Sequence, residues 1–297
     1  QGFRLAFWGS DATGLSAHWF QRSDARWKAG AWQLYENNVE QDDDVQLFEL
    51  QYERDLGIRT TAGLAFWYAR DHANGEGGVS ILGQGLNSSL SNYNGVFNFD
   101  LGDQDYQADV FWTGLQFHTD PLLQQGRFGY SGFLMHSYGQ VDTDTRAIDI
   151  SGWAANLRTA WRYGRAPRDQ ITLEGIYTTG DSDNIADGEY SGVLTGNNWT
   201  SPGSVFIGHG LYMLLPHGTV VNRWNAAVVD IQNLGYGLSA GILTAKRELI
   251  PNKLRLQAGA GAGWASDVPD GVGNFIGWEA NLGLVWTPKV YFDVELH

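Results

Sequence analysis

Two-residue alternation of apolar and polar side chains, sustained over long segments, constrains this chain more than any other feature. In residues 254–264, Leu254, Leu256, Ala258, Ala260, Ala262 and Trp264 fall on one side, and Arg255, Gln257, Gly259, Gly261 and Gly263 on the other. After a turn-like segment at 267–273 the pattern restarts. Ile276, Trp278, Ala280, Leu282, Leu284 and Trp286 alternate with Gly277, Glu279, Asn281, Gly283 and Val285. A period of two is that of a β-strand, and about ten residues is the length a tilted strand needs to cross a bilayer. A soluble sandwich turns its apolar face inward, whereas a membrane barrel turns it outward to lipid. Tryptophan near both ends of the apolar face points to the barrel.

Composition agrees. The chain has 39 Gly, 13 Trp, 13 Tyr and 14 Phe against 7 Pro in 297 residues, which suits close-packed strands with aromatic girdles. It contains no apolar run of about 18 residues, so a spanning structure here has to be a closed barrel. Absence of cysteine excludes disulfides, thiolate metal sites and cysteine nucleophiles. The net charge of −14 carries no basic stripe, which argues against nucleic acid as a partner.

Strands are expected at 2–9, 15–22, 27–37, 45–55, 60–70, 106–118, 126–140, 148–164, 171–179, 224–232, 237–248, 253–265, 275–287 and from 290 onward. Long loops are expected near 71–102, with a short helix around 80–90, and near 180–210, while 249–252 and 287–289 read as tight turns. Short turns on one rim and long loops on the other are the asymmetry of outer-membrane barrels. The fold class read from these patterns is all-β: one domain over 1–297, a transmembrane antiparallel up-and-down β-barrel of about 14–18 strands. The final strand, with Phe292, Val294 and Leu296 alternating against Asp293, Glu295 and His297, is short and lacks a terminal aromatic residue, so polypeptide is expected beyond these ends.

The C-terminal half carries Tyr177-Thr178-Thr179-Gly180-Asp181 at a strand-to-loop junction, Leu215-Pro216, Asp230-Ile231-Gln232-Asn233-Leu234 leading into 237–248, and Gly277-Trp278-Glu279. By these features it resembles the alginate-export family of outer-membrane barrels. The resemblance covers about 171–297 and implies a monomeric outer-membrane barrel that exports an acidic polysaccharide through a basic pore. Alternation instead assigns both signs to one face: Arg158, Arg162, Lys253, Arg255 and Arg70 with Glu49, Glu53, Glu174, Glu279, Asp293 and Glu295. A lumen of mixed sign does not concentrate a polyanion as a basic one does.

Those side chains, Arg70 apart, are the expected pore lining of a porin-like channel or export pore for polar solutes or polysaccharide. The alternative is a scaffold barrel plugged by its two long loops, serving assembly or attachment. The expected partners are the lipid bilayer, the solute and further periplasmic or outer-membrane proteins. The seven histidines show no HxH or HExxH spacing, and no cofactor is expected. Asp181, Asp183 and Asp187 are weak candidates for a divalent cation, because their glycine is misplaced for an EF-hand loop. A hydrolase needs a serine and a histidine together, but adjacent His136 and Ser137 point to opposite faces. No enzyme activity is expected.

Overall fold

The computed structural model describes residues 2–8, 14–22, 25–35, 45–57, 59–74, 105–120, 123, 126–164, 166, 169–183, 185–194, 235–289 and 292–296. Alternating segments become strands wherever they are described. They are β1 (Gly2–Trp8), β2 (Gly14–Arg22), β3 (Ala25–Tyr35), β4 (Val45–Asp55), β5 (Thr61–Asp71), β6 (Tyr106–His118), β7 (Phe128–Thr143), β8 (Ala147–Arg162), β9 (Gln170–Thr178), β10 (Glu189–Tyr190), β11 (Leu238–Ile250), β12 (Leu254–Trp264), β13 (Phe275–Lys289) and β14 (Phe292–Leu296). All lie in one sheet. Its path runs antiparallel from neighbour to neighbour, β1 through β9 and then β11 through β14, while β10 pairs in parallel with β8. This is the up-and-down antiparallel architecture expected, with thirteen strands on the path among the described residues. No helix among the described residues is long and apolar enough to cross a membrane.

β9 and β11 are direct neighbours, registered from Leu238↔Thr178 to Lys246↔Gln170. The strand expected at 224–232 lies outside the described residues, as do the helix expected at 80–90, Leu215-Pro216 and 230–234. Two expectations about boundaries change. The tight turn expected at 287–289 is strand instead, because β13 continues to Lys289, which pairs with Phe292 after an irregular step. β10 is the second change. Two residues are too few to carry a readable period, and the pair forms only because β8 outruns β9, leaving Asp149 and Ile150 as an open edge.

The two faces of the sheet differ as the alternation requires. On one, Phe48, Leu50, Leu64, Leu115, Leu134, Trp153, Leu157, Trp161, Leu173 and Leu282 are exposed, and Trp278 reaches 73% exposure. On the other, the inner face, Glu49, Asn156, Glu174, Ile176, Ile242 and Val285 are buried. An apolar cluster occupies the inner face of β5–β8, built from Ala69, Val110, Trp112, Phe133, Met135, Ile148 and Ile150. The segment after β9 folds over it and adds Ile185, Tyr190, Val193 and Leu194. We refer to residues 180–194 as the strap.

Candidate functional site

The exposed face is organised in rows by register. Phe48, Tyr68, Phe111, Tyr138 and Ser151 lie opposite one another across β4–β8. Their rings stack at centroid distances of 5.8, 4.6 and 5.4 Å from Phe48 through Tyr68 and Phe111 to Tyr138. One row closer to the centre, His136 stacks on Trp153 at 4.2 Å. The row on the other side of the belt is polar: Gln46, Arg70, Asp109, Gln140 and Asp149. Asp109 accepts from Tyr68 Oη and lies 3.2 Å from His72 Nε2. Arg70, expected among lumen-facing bases, therefore belongs to the exposed face. Its position has the parity of Tyr68, and a row of aromatics on one face fixes the row beside it.

Toward the short-turn rim a second set of aromatics appears: Phe117, Phe128 and Tyr130, then Trp161 and Tyr163. Between the two sets on β8 the exposed face offers only Ala155, Leu157 and Thr159. Amphipathic rings at two levels with apolar side chains between them are the anatomy of a membrane-facing wall.

The inner face carries the sequence-predicted lining, and register brings part of it together. Arg158 stands opposite Glu174 and its Nε is 3.5 Å from Glu174 Oε2. Asn156 Nδ2 donates to Glu174 Oε1 at 2.9 Å, so the carboxylate is held from two sides while only 3% of the residue is exposed. Glu53 accepts from Gln116 Nε2 at 2.9 Å, and Glu49 sits on the same face of β4, level with Trp67. On β13, Glu279 accepts from Asn281 Nδ2 at 3.0 Å. Arg255 pairs in register with Glu248 on one side and Val285 on the other.

Two predicted lining residues lie at the short-turn end of the wall. Arg162 closes the rim, donating through Nη1 to Gly126 O at 2.7 Å and through Nη2 to Leu123 O in the β6–β7 connection. Lys253 is an exposed turn residue, whose carbonyl accepts from Thr287 N at 2.8 Å. Alternation assigns parity but not where a strand ends, which is why both read as wall. Glu295 stands opposite Val285, on the inner parity it shares with Asp293; the side chains of both lie outside the described residues.

The strap is the feature alternation does not reveal. Gly237, at φ +68°, brings the start of β11 against Thr178, Thr179 and Gly180, a turn that a side chain would obstruct. Asp181 N donates to Gly235 O at 2.9 Å, and its carboxylate accepts from Asp183 N at 3.2 Å and Ser191 N at 2.9 Å. Burial, with the Asp183 carboxylate beside it, raises the Asp181 carboxyl above its usual value of 3.8. Both Asp181 oxygens thus tie the strap, and Asp187 Oδ1 likewise accepts from Glu189 N at 2.9 Å. The three aspartates weighed as cation ligands form no metal cluster among the described residues. Deeper in, Trp112 Nε1 donates to Leu194 O at 2.6 Å and Leu194 N donates to Ser137 Oγ at 3.2 Å. Backbones meet where Gly152 faces Gly192, since a Cβ at Gly152 would overlap the Gly192 carbonyl.

Ser137 is thus committed to the inner face, while its neighbour His136 turns outward and shares a 3.1 Å hydrogen bond with Ser151 Oγ. That contact crosses between strands and is invisible to a reading by sequence adjacency.

No family model matches the chain, and no curated protein matches it. Among solved structures it is similar to the ferric-catecholate import receptor Fiu from E. coli K12 in its open form, at 10% identity and a TM-score of 0.40. The match covers 96% of this chain and 51% of the receptor, so the chain spans about half of that protein's length.

Proposed function

We propose that this chain forms the wall of a β-barrel in a bacterial outer membrane and passes polar solutes along its inner face. The observation that carries this reading is the exposed apolar band between two aromatic levels. Trp153 and Trp161 on β8, and Trp278 and Trp286 on β13, are each eight residues apart and exposed. Eight residues correspond to about 26 Å along a strand, or roughly 20 Å of height at a tilt near 40°. That matches the thin hydrocarbon layer of an outer membrane. A face of large apolar side chains this extensive is stable only where something other than water covers it.

Within this reading, the alginate-export resemblance supplies a family and polysaccharide a cargo. The inner face favours smaller polar solutes, because its charges are of mixed sign and Arg158 is engaged by Glu174. The second reading, a plugged scaffold barrel, is favoured by the strap lying on the inner face of β6–β8.

Planar-bilayer recording with the full chain tests the choice. The pore reading expects stable ohmic openings whose ion selectivity shifts in Arg255→Gln. A folded, detergent-extracted protein that never conducts would leave the scaffold.

A further inference from the structure

We infer that the short-turn rim of the sheet docks on anionic phospholipid headgroups of the leaflet beside it. The inference rests on the membrane wall of the proposed function and not on conduction.

Exposed charge is divided between the two rims. Among the described residues every exposed acid lies at the long-loop rim, as at Asp142, Asp144, Asp149, Asp183, Asp267 and Asp270. The exposed base at that rim is Arg146, whose Nη1 donates to Ile185 O at 2.7 Å. At the short-turn rim the order reverses. Arg59 in the β4–β5 turn, Arg127 in the β6–β7 turn, Arg247 and Lys253 on either side of the β11–β12 turn, and Lys289 at the end of β13 are all exposed. The described acids of this rim are withdrawn: Asp169 and Glu248 are buried, Asp55 and Asp120 half-buried. Asp169 Oδ1 accepts from Glu248 N at 2.7 Å.

The bases sit at the depth of the second aromatic level. The Arg247 guanidinium lies over the Tyr163 ring, 5.8 Å from its centroid. Arg127 directly precedes Phe128 of that level. A Cβ at Gly126 would stand 3.3 Å from Arg59 Nη1, so Arg59 reaches the same turn. Lys253 precedes Leu254, which stands opposite Trp286, and Lys289 ends the strand that carries Trp286. Cations beside amphipathic rings at the edge of an apolar band lie in the headgroup layer. There each base attracts an anionic lipid, and a guanidinium also matches the geometry of phosphate oxygens. A protein partner would need these charges gathered in one patch. They are instead spread over turns from β4 to β14, each beside the exposed apolar face, as a ring of lipid requires.

The chain has no cysteine, so a bimane fluorophore on one introduced thiol reports on one depth. Trp286→Cys places it near the short-turn rim and Phe275→Cys at the long-loop end of the same strand, both at exposed positions. The full chain is folded into phosphatidylcholine vesicles containing a minor fraction of nitroxide-labelled phosphatidylglycerol or nitroxide-labelled phosphatidylcholine. At low salt, quenching in Trp286→Cys is expected to be about threefold stronger with the phosphatidylglycerol, falling to parity in about 1 M salt. Phe275→Cys is expected to show no such preference. Adding Arg247→Gln, Lys253→Gln and Lys289→Gln to Trp286→Cys should abolish the preference, whereas Arg247→Lys, Lys253→Arg and Lys289→Arg should keep it. Equal quenching by the two lipids in Trp286→Cys, an equal preference at both positions, or a preference that survives the three glutamine substitutions would overturn the docking and leave the wall standing. Absence of quenching by either lipid at both positions would overturn the membrane reading itself.

Discussion

Glu174 and Arg158 face the same side of adjacent strands, and their pairing follows from parity and register together. Parity was readable in the sequence; register was not, because nothing local says which residue of β8 stands opposite Glu174. Once formed, the pair is buried and shared with Asn156. Removing one partner of such a pair strands the other and costs about 3 kcal/mol, whereas replacing both by apolar residues costs far less. Glu174→Leu should therefore lower unfolding stability in lipid vesicles by about that amount, and adding Arg158→Met should restore most of it. Equal loss in the single and double variants would show that a stranded Arg158 is not what the substitution costs. Arg162 and Lys253 share the parity logic but sit at strand ends, where hydrogen bonds to turns override it.

At the scale of elements, strands and strap obey different rules. A strand announces itself by its period. The strap is a run of turns whose placement depends on Asp181, on the Gly152–Gly192 approach and on Trp112, three contacts distant in sequence. Since the Asp181 carboxyl is raised in the folded state, its contribution is fully present below the unfolded value of 3.8 and is lost as pH rises through the higher folded value. Hydrogen exchange at Val193 and Leu194, corrected for intrinsic rates, should accordingly show more protection as pH falls from neutral. In Asp181→Asn, which does not titrate, that slope should vanish. A wild-type slope of the opposite sign would exclude Asp181 as the group that sets it.

For the whole molecule, the decisive quantity is what covers the exposed face. Leu157 lies midway between Trp153 and Trp161 and is 50% exposed. If lipid covers it, Leu157→Arg places a charge near the midplane and should cost about 2–4 kcal/mol of folding stability in bilayers. Asp149→Arg, beyond the aromatic belt on the same strand, should be close to neutral. Folding titrations in lipid vesicles compare the two, and equal effects would mean that no apolar layer lies against β8.

The sequence by itself determined the strands, their two faces and the aromatic levels on one of them, because a period of two translates directly into sidedness. It also placed Glu49, Glu53, Glu174, Arg255 and Glu279 on the inner face. Tertiary structure alone decided which of them meet and that β9 neighbours β11. It alone folded the strap onto β6–β8. Register and loop placement depend on residues far apart in the chain, so no local pattern encodes them.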